Sequence, residues 1–339
     1  MSATGASRRP KGLIVLDPGA YDRIYGEPER AQLAELLDLL APPMSARELA
    51  SHHELLEQVE VIVSGWGAPK MDGAFLARAP KLRLVCYGAG AVRGFVSEEL
   101  FARGITVTSA NALNAIPVAE YSVATILFSL KRGFALMRSP LAPTSAARDA
   151  VPGAFGSRVG LAGLGTIGRL VARRLAGFDL ELVAYDPYCP PEDAGDLGVR
   201  LVGLDELFAS SHVVSLHLPL YAATRHIVTA ELLESMRENS TLINSARGGL
   251  VDHLALANIL ARRDDLQAVL DVTDPEPLSV DHPLLALDNV VITPHIAGSL
   301  GPECRRLGQS AVEELGRYLA GQPLLHRVDP ATLAIAAIA

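Results

Sequence analysis

Residues 158–175 read RVGLAGLGTIGRLVARRL. An apolar run, RVGLAG (158–163), passes straight into glycines at 163, 165 and 168 in G-x-G-x-x-G spacing, and the segment after them has helical periodicity. Strand, tight turn and helix in that order are what a dinucleotide site requires. Gly163 allows the turn, Gly165 lets the backbone approach a pyrophosphate, and Gly168 lets helix and strand pack closely. Thr166 and Ile167 open the helix, whose free N–H groups and positive dipole end face the phosphates. Asp186 ends the next apolar run, LELVAYD (180–186), close to the roughly 20-residue offset of a carboxylate that accepts hydrogen bonds from the adenosine ribose. A 2′-phosphate there would meet its negative charge, and Pro187-Tyr188-Cys189-Pro190 supplies no arginine or lysine to compensate. The expected cofactor is therefore NAD rather than NADP.

Apolar runs and helix-period segments alternate on both sides of this stretch. Downstream, HVVSLHL (212–218), STLINSA (240–246), LQAVLD (266–271) and NVVITP (289–294) read as further buried strands. Upstream lies an earlier series, GLIVLD (12–17), VEVIVSG (59–65), LRLVCYG (82–88) and ITVTSA (105–110), with helices expected at 31–40, 75–79 and 97–104. Such alternation indicates parallel sheets covered by helices. Between the two series lies a long helical stretch, 117–138, then a Pro-, Ala-, Ser- and Gly-rich segment at 139–157, read as a surface arm. An amphipathic helix from Pro302 to Leu319 closes the pattern. The expected fold is α/β, with two Rossmann-like or flavodoxin-like parallel-sheet domains.

Composition narrows the function. The chain has 339 residues, enough for two domains. A net charge of -8 argues against nucleic acid as a partner, because phosphate binding needs clustered lysine and arginine. Cys86, Cys189 and Cys304 lie far apart and allow neither a disulfide framework nor a zinc spacing, so no metal is expected and a reducing cytoplasm fits. The N-terminus lacks the apolar core of a secretory signal. No apolar run approaches the roughly 18 residues that span a bilayer, so no membrane partner is expected.

The ligand crevice of an open α/β sheet lies beyond the carboxyl ends of its strands. STLINSA (240–246) ends at Ala246 and Arg247, followed by Gly248-Gly249; LQAVLD ends at Asp271, with Glu276 a few residues on; VVIT ends before His295; HVVSL ends at His217, before Pro219. An arginine, acids and a histidine on one rim suit hydride transfer at a carbon that bears a hydroxyl. A general base takes the hydroxyl proton and returns it in reverse, a task for which histidine titrates in the useful range. A neighbouring carboxylate orients the imidazole, and a guanidinium fixes a substrate carboxylate and polarises the carbonyl. Hence His295 is read as acid/base, Glu276 as its partner and Arg247 as the clamp. Asp271 either caps its loop or holds the nicotinamide amide; its place favours the amide. His217 is read as part of the cofactor wall and Asp252 as a helix N-cap. Pro219, Ala246 and Gly298 complete the expected cofactor set.

Taken in order, GLGTIGRLVARRL…VAYDPY, LHLPL, NSARGGLVD, LDVTDPEP and ITPHIAGS resemble the D-isomer-specific 2-hydroxyacid dehydrogenase family, over about residues 60–320. The resemblance implies Arg247, Glu276 and His295 as the catalytic trio, and an NAD domain (111–300) inserted into a substrate domain made of 1–110 and 301–339. It implies a 2-hydroxy or 2-keto acid substrate whose carboxylate meets backbone N–H groups of Gly88, Ala89 and Gly90 in YGAGAVRGF. It also implies a homodimer joined through the 117–150 helix and arm. Asn111 and Glu120 match family positions near the hinge. The chain departs after the loop glycines, with Val92-Arg93 where an aspartate is common. Arg93 fits either an anionic substrate tail or a solvated surface, and Trp66 fits either a pocket wall or core packing. Glutamate rather than glutamine at 276 separates the chain from related formate dehydrogenases. Phosphoglycerate oxidation stays open, although the chain ends soon after its last helix, short of the regulatory domain that some such enzymes carry. A non-catalytic NAD-sensing dimer is the alternative class, and the complete Arg247, Glu276 and His295 set argues against it.

Overall fold

The computed structural model describes residues 8–137 and 148–331. The described residues divide into two compact units, one built from residues up to Asn114 together with 299–331, the other from Ala115–Gly298.

The first unit is a five-stranded parallel sheet: β1 (Lys11–Val15), β2 (Asp38–Leu39), β3 (Val61–Ser64), β4 (Leu84–Tyr87) and β5 (Thr106–Ser109), in the order β2-β1-β3-β4-β5. This is the flavodoxin-like order. Every residue of β3 and β4 is buried, as expected of strands covered on both faces. On one face Ile14, Leu16, Val61 and Val63 pack with Leu307, Ala311, Val312 and Leu315 of the helix Glu303–Leu319. Gly308 permits that packing, since a Cβ there would lie 2.1 Å from the Ile24 carbonyl oxygen of the helix Pro18–Ile24. On the other face Leu13, Val15, Ile62, Val85 and Val107 form a separate cluster. Trp66 packs partly buried against both clusters, with the Arg23 guanidinium 5.3 Å from its ring centroid. Glu60 stitches the amino ends of the strands, accepting bonds from Arg8 (2.8 Å), Arg83 (2.8 Å) and the Lys11 N–H (3.0 Å).

The second unit holds seven parallel strands: β6 (Ser157–Ala162), β7 (Leu180–Tyr185), β8 (Val199–Leu201), β9 (Val213–Leu216), β10 (Thr241–Asn244), β11 (Gln267–Leu270) and β12 (Val290–Ile292). Their order, β12-β11-β10-β9-β6-β7-β8, reverses direction between β6 and β9, the Rossmann pattern. Two parallel-sheet α/β domains are thus present, as the alternating runs imply.

The sequence reading differs from the structure in several places. The short strands β2 and β8 and the helices between β7 and β10 carry too few periodic positions to be anticipated, and Asp38–Leu39 lies in a segment read as helix. The long helix is Asn111–Leu130, which begins before Pro117 and carries that proline inside it. It stops where Arg132 takes a left-handed φ of 49°, and Gly133–Met137 forms a separate short helix. Residue 138 of the expected helix and residues 139–147 of the expected arm lie outside the described residues. The expectation that nothing approaches membrane-spanning length is corrected. Asn111–Leu130 is long and apolar enough by length and composition, with mean hydropathy 1.4, because its Ile, Leu, Val and Ala residues outweigh interspersed polar ones. Half of it is buried, and Ala119, Ile126 and Leu130 pack with Val159 and Leu161 of β6.

Candidate active site

The β6 turn is built by contacts that leave no room for side chains. Gly163 sits at φ 106°, and a Cβ on it would lie 2.9 Å from the His217 carbonyl group. A Cβ on Gly168 would fall 2.0 Å from the Gly163 oxygen, so helix Thr166–Leu175 can approach β6 only through glycine. Gly165 is the opposite case. It is the helix N-cap, no side chain caps the helix, and nothing lies within 4 Å of where its Cβ would be. Gly165 and Thr166 are exposed and Ile167 is half-buried, so the first N–H groups of the helix face open space. Asp186 braces the turn: one carboxylate oxygen accepts from Leu164 N–H (2.7 Å) and the other from Tyr188 N–H (2.9 Å). His217 is buried beneath the turn, where burial pushes its imidazole down to about 4, so it is neutral. Its Nε2 has no partner among the described residues. Pro219 follows at the exposed rim. An open helix end, a glycine cradle and an orphaned neutral imidazole fit a dinucleotide.

The second cluster stands at the carboxyl ends of β10, β11 and β12. Ala246 is buried, and Arg247 is exposed, its guanidinium donating to the Ala246 carbonyl (2.6 Å). Asn244 Nδ2 donates to the Arg247 carbonyl (2.9 Å), which fixes the turn. Gly248 is required because a Cβ there would lie 2.0 Å from the Thr273 backbone. Asp252 caps the next helix through Leu254 and Ala255 N–H groups. Asp271 is buried, and its carboxylate accepts from the Thr293 hydroxyl (2.5 Å) and from the N–H groups of Ile296 (2.8 Å) and Ala297 (2.9 Å). Of its two sequence readings, loop capping is the one these bonds perform. Its backbone oxygen also accepts from His295 N–H (3.0 Å). The loop so held places His295 at φ 54°, a conformation uncommon for a non-glycine residue. Gly298, half-buried, follows it.

His295 Nδ1 lies 2.6 Å from Glu276 Oε1. An ionised carboxylate only accepts, so Nδ1–H donates and Nε2 is left for other work. Both side chains are about half exposed, at 53% and 41%. A cavity of about 240 Å³ beside the pair is lined by Leu278, Ile292 and Pro294. The structure thus brings Glu276 and His295 together and holds Arg247 on the same rim, two strands away.

In the first unit, the β4 loop carries Gly88, Ala89 and Gly90, all buried. Gly88 departs from its expected role, because its N–H donates to the Ser64 carbonyl (2.9 Å) as an extension of the sheet. Among the described residues the Ala89 and Gly90 N–H groups donate to no other backbone group, and the Ser109 hydroxyl donates to the Gly90 carbonyl (2.7 Å). Val92 is buried near Phe95, and Arg93 is exposed.

The sequence profile described as "D-isomer specific 2-hydroxyacid dehydrogenase, NAD binding domain" matches residues 125–297, about half of the chain. The chain belongs to the D-isomer-specific 2-hydroxyacid dehydrogenase family. Its glycine turn lies in the NAD-binding domain of that family, and NAD is its cofactor. The chain is 36% identical over 257 residues to a D-3-phosphoglycerate dehydrogenase of Mycobacterium tuberculosis, covering 75% of this chain and 48% of that one. It thus spans about half the length of such relatives. An (S)-sulfolactate dehydrogenase of Chromohalobacter salexigens is 36% identical over 253 residues, 74% of this chain and 82% of that one. Among solved structures, the TT0316 protein of Thermus thermophilus superposes with a TM-score of 0.71 at 30% identity, covering 94% of this chain and all of that one.

Two contacts beside the candidate site escape the sequence reading. Tyr121 hydroxyl lies 2.9 Å from Thr293 Oγ1, and Ser122 Oγ lies 3.2 Å from Ser245 Oγ. Both join residues more than a hundred positions apart, where no local pattern reports them. Thr293, just past the end of β12 and two residues before His295, is the one signal within reach of sequence.

Proposed function

We propose that this chain is an NAD-dependent oxidoreductase that interconverts a D-2-hydroxy acid and its 2-keto acid. The observation that carries the reading is the 2.6 Å contact of His295 with Glu276 at the carboxyl edge of the sheet that also bears the glycine turn. Bound NAD supplies the hydride acceptor in one direction and, reduced, the donor in the other. In oxidation, His295 Nε2 takes the hydroxyl proton while Glu276 holds Nδ1–H and stabilises the imidazolium; in reduction the proton returns from Nε2. Arg247 offers its guanidinium to the substrate carboxylate and to the charge that grows on the carbonyl oxygen. The Ala89 and Gly90 N–H groups, in buried residues and donating to no other backbone group among the described residues, bind the substrate carboxylate. Asp186 takes the adenosine ribose hydroxyls, and Asp271, Ala246, Pro219, His217 and Gly298 surround the nicotinamide end.

Residues 111–300 are assigned to NAD binding, and 1–110 with 301–339 to substrate binding; the two compact units support the division. The relatives named for phosphoglycerate and sulfolactate support a small hydroxy acid as the substrate class. Assembly is assigned to a homodimer through the 117–150 region, supported by exposed apolar side chains at Phe128 and Met137. Free thiols at Cys86, Cys189 and Cys304 support the cytoplasm, and the packed Asn111–Leu130 helix supports a protein with no membrane partner.

The test is NADH oxidation with glyoxylate, hydroxypyruvate, pyruvate, phenylpyruvate and phosphohydroxypyruvate. At least one keto acid is expected to turn over. His295→Ala is expected to keep NADH affinity and to lose about 100-fold or more in kcat. Undiminished turnover in that variant would remove His295 from the chemistry.

A further inference from the structure

The loop that aims His295 is held from a helix far away in sequence. The Thr293 hydroxyl gives its one hydrogen to Asp271 Oδ1 (2.5 Å), because the carboxylate accepts only. The Thr293 oxygen is therefore the acceptor in its 2.9 Å contact with Tyr121, and the phenol is the donor. Burial raises the Tyr121 pKa, which keeps the phenol protonated and donating. The order of bonds then runs from Tyr121 to Thr293 to Asp271, and Asp271 in turn receives the N–H groups of His295, Ile296 and Ala297. A left-handed non-glycine residue such as His295 persists only where its surroundings over-determine it. The next helix residue braces a second loop: Ser122 gives its hydrogen to the Val118 carbonyl (2.7 Å), so Ser245, two residues before Arg247, donates to Ser122.

We propose that Tyr121 is a positioning residue for His295, acting through Thr293 and the Asp271 carboxylate to fix the loop that aims the imidazole at the substrate. The proposal rests on the reading of His295 as the acid/base group.

Tyr121→Phe removes one oxygen and keeps the ring in place. The expected result is a fall in kcat of about threefold to tenfold, the effect of one hydrogen bond, with NADH affinity and its KM unchanged. The His295 Nδ1–H bonded to Glu276 gives a downfield proton resonance in NMR, assigned by its loss in His295→Gln. In Tyr121→Phe this resonance is expected to broaden and exchange faster with water. Thr293→Val alone and combined with Tyr121→Phe completes a cycle, and the combined loss is expected to be no larger than that of Thr293→Val alone. An unchanged kcat and resonance in Tyr121→Phe, or fully additive losses in the double variant, overturns the proposal. If the wild-type chain reduces none of the keto acids, the enzymatic reading fails, while the resonance still decides whether Tyr121 orders the His295 loop.

Discussion

Two glycines three residues apart do opposite things. Gly168 meets the Gly163 carbonyl, whereas the Gly165 Cβ position opens onto empty space. Gly168→Ala is therefore expected to destabilise the fold by about 1–3 kcal/mol, through a clash that backbone must relieve. Gly165→Ala is expected to leave stability within about 0.5 kcal/mol and to weaken NADH at least tenfold, because the added methyl occupies the approach of the pyrophosphate. Thermal unfolding and fluorescence titration separate the two, and normal NADH affinity in Gly165→Ala would displace the pyrophosphate from this turn. The spacing of the motif gives both glycines the same standing in sequence. What tells them apart is the identity of the atoms opposite, and those come from the turn's own carbonyl and from open solvent. Asp271 teaches the same lesson: its strand-end position suggests a ligand, while three protein donors converge on it.

Elements are legible where they are long, periodic and ended by glycine. β6 with its helix, and β9 to β12, follow from their apolar runs, and with them the rim that holds Arg247, Glu276 and His295. The start of Asn111–Leu130 is not legible, because Pro117 suggests a first turn when read locally. The ties between elements are also silent, and Glu60 is an example. Burial alone pushes its carboxyl up, but the Lys11 N–H and the guanidiniums of Arg8 and Arg83 more than offset this and hold it below the usual range. A depressed folded-state pKa means stability that is complete above the unfolded value, roughly 4.3, and lost as pH falls through the folded value. Glu60→Gln is expected to cost about 1 kcal/mol at neutral pH, since the neutral amide gives up charge-assisted bonds to two exposed guanidiniums. Its deficit relative to wild type should shrink below about pH 4, where the native carboxyl protonates as well. A deficit that stays constant from pH 7 to 3 would show that the ionised form of Glu60 is not what ties the strands.

At the scale of the molecule, the glycine turn, Asp186 and His217 all belong to the unit Ala115–Gly298. A ligand that binds only the folded unit stabilises it by about 2.7 kcal/mol at a hundred times its Kd. NADH at that level is expected to raise the melting temperature by roughly 5–10 °C. NADPH at the same concentration should give a smaller shift, because its 2′-phosphate meets Asp186; equal shifts would count against that role. The division of the chain also sets an order of events during synthesis. The sheet β1 to β5 leaves the ribosome first, yet Leu307, Ala311, Val312 and Leu315, which cover one of its faces, are made only after the whole second unit. At about 5–20 residues per second, that wait is on the order of ten seconds or more. Through that interval Ile14, Leu16, Val61 and Val63 have only the part of their cover that Ile24, Leu33 and Leu37 supply, although the middle of the chain already holds every strand it needs. The cofactor half is complete while the first half is still a sticky intermediate, so a nascent chain stalled near residue 300 should be a strong client for chaperones.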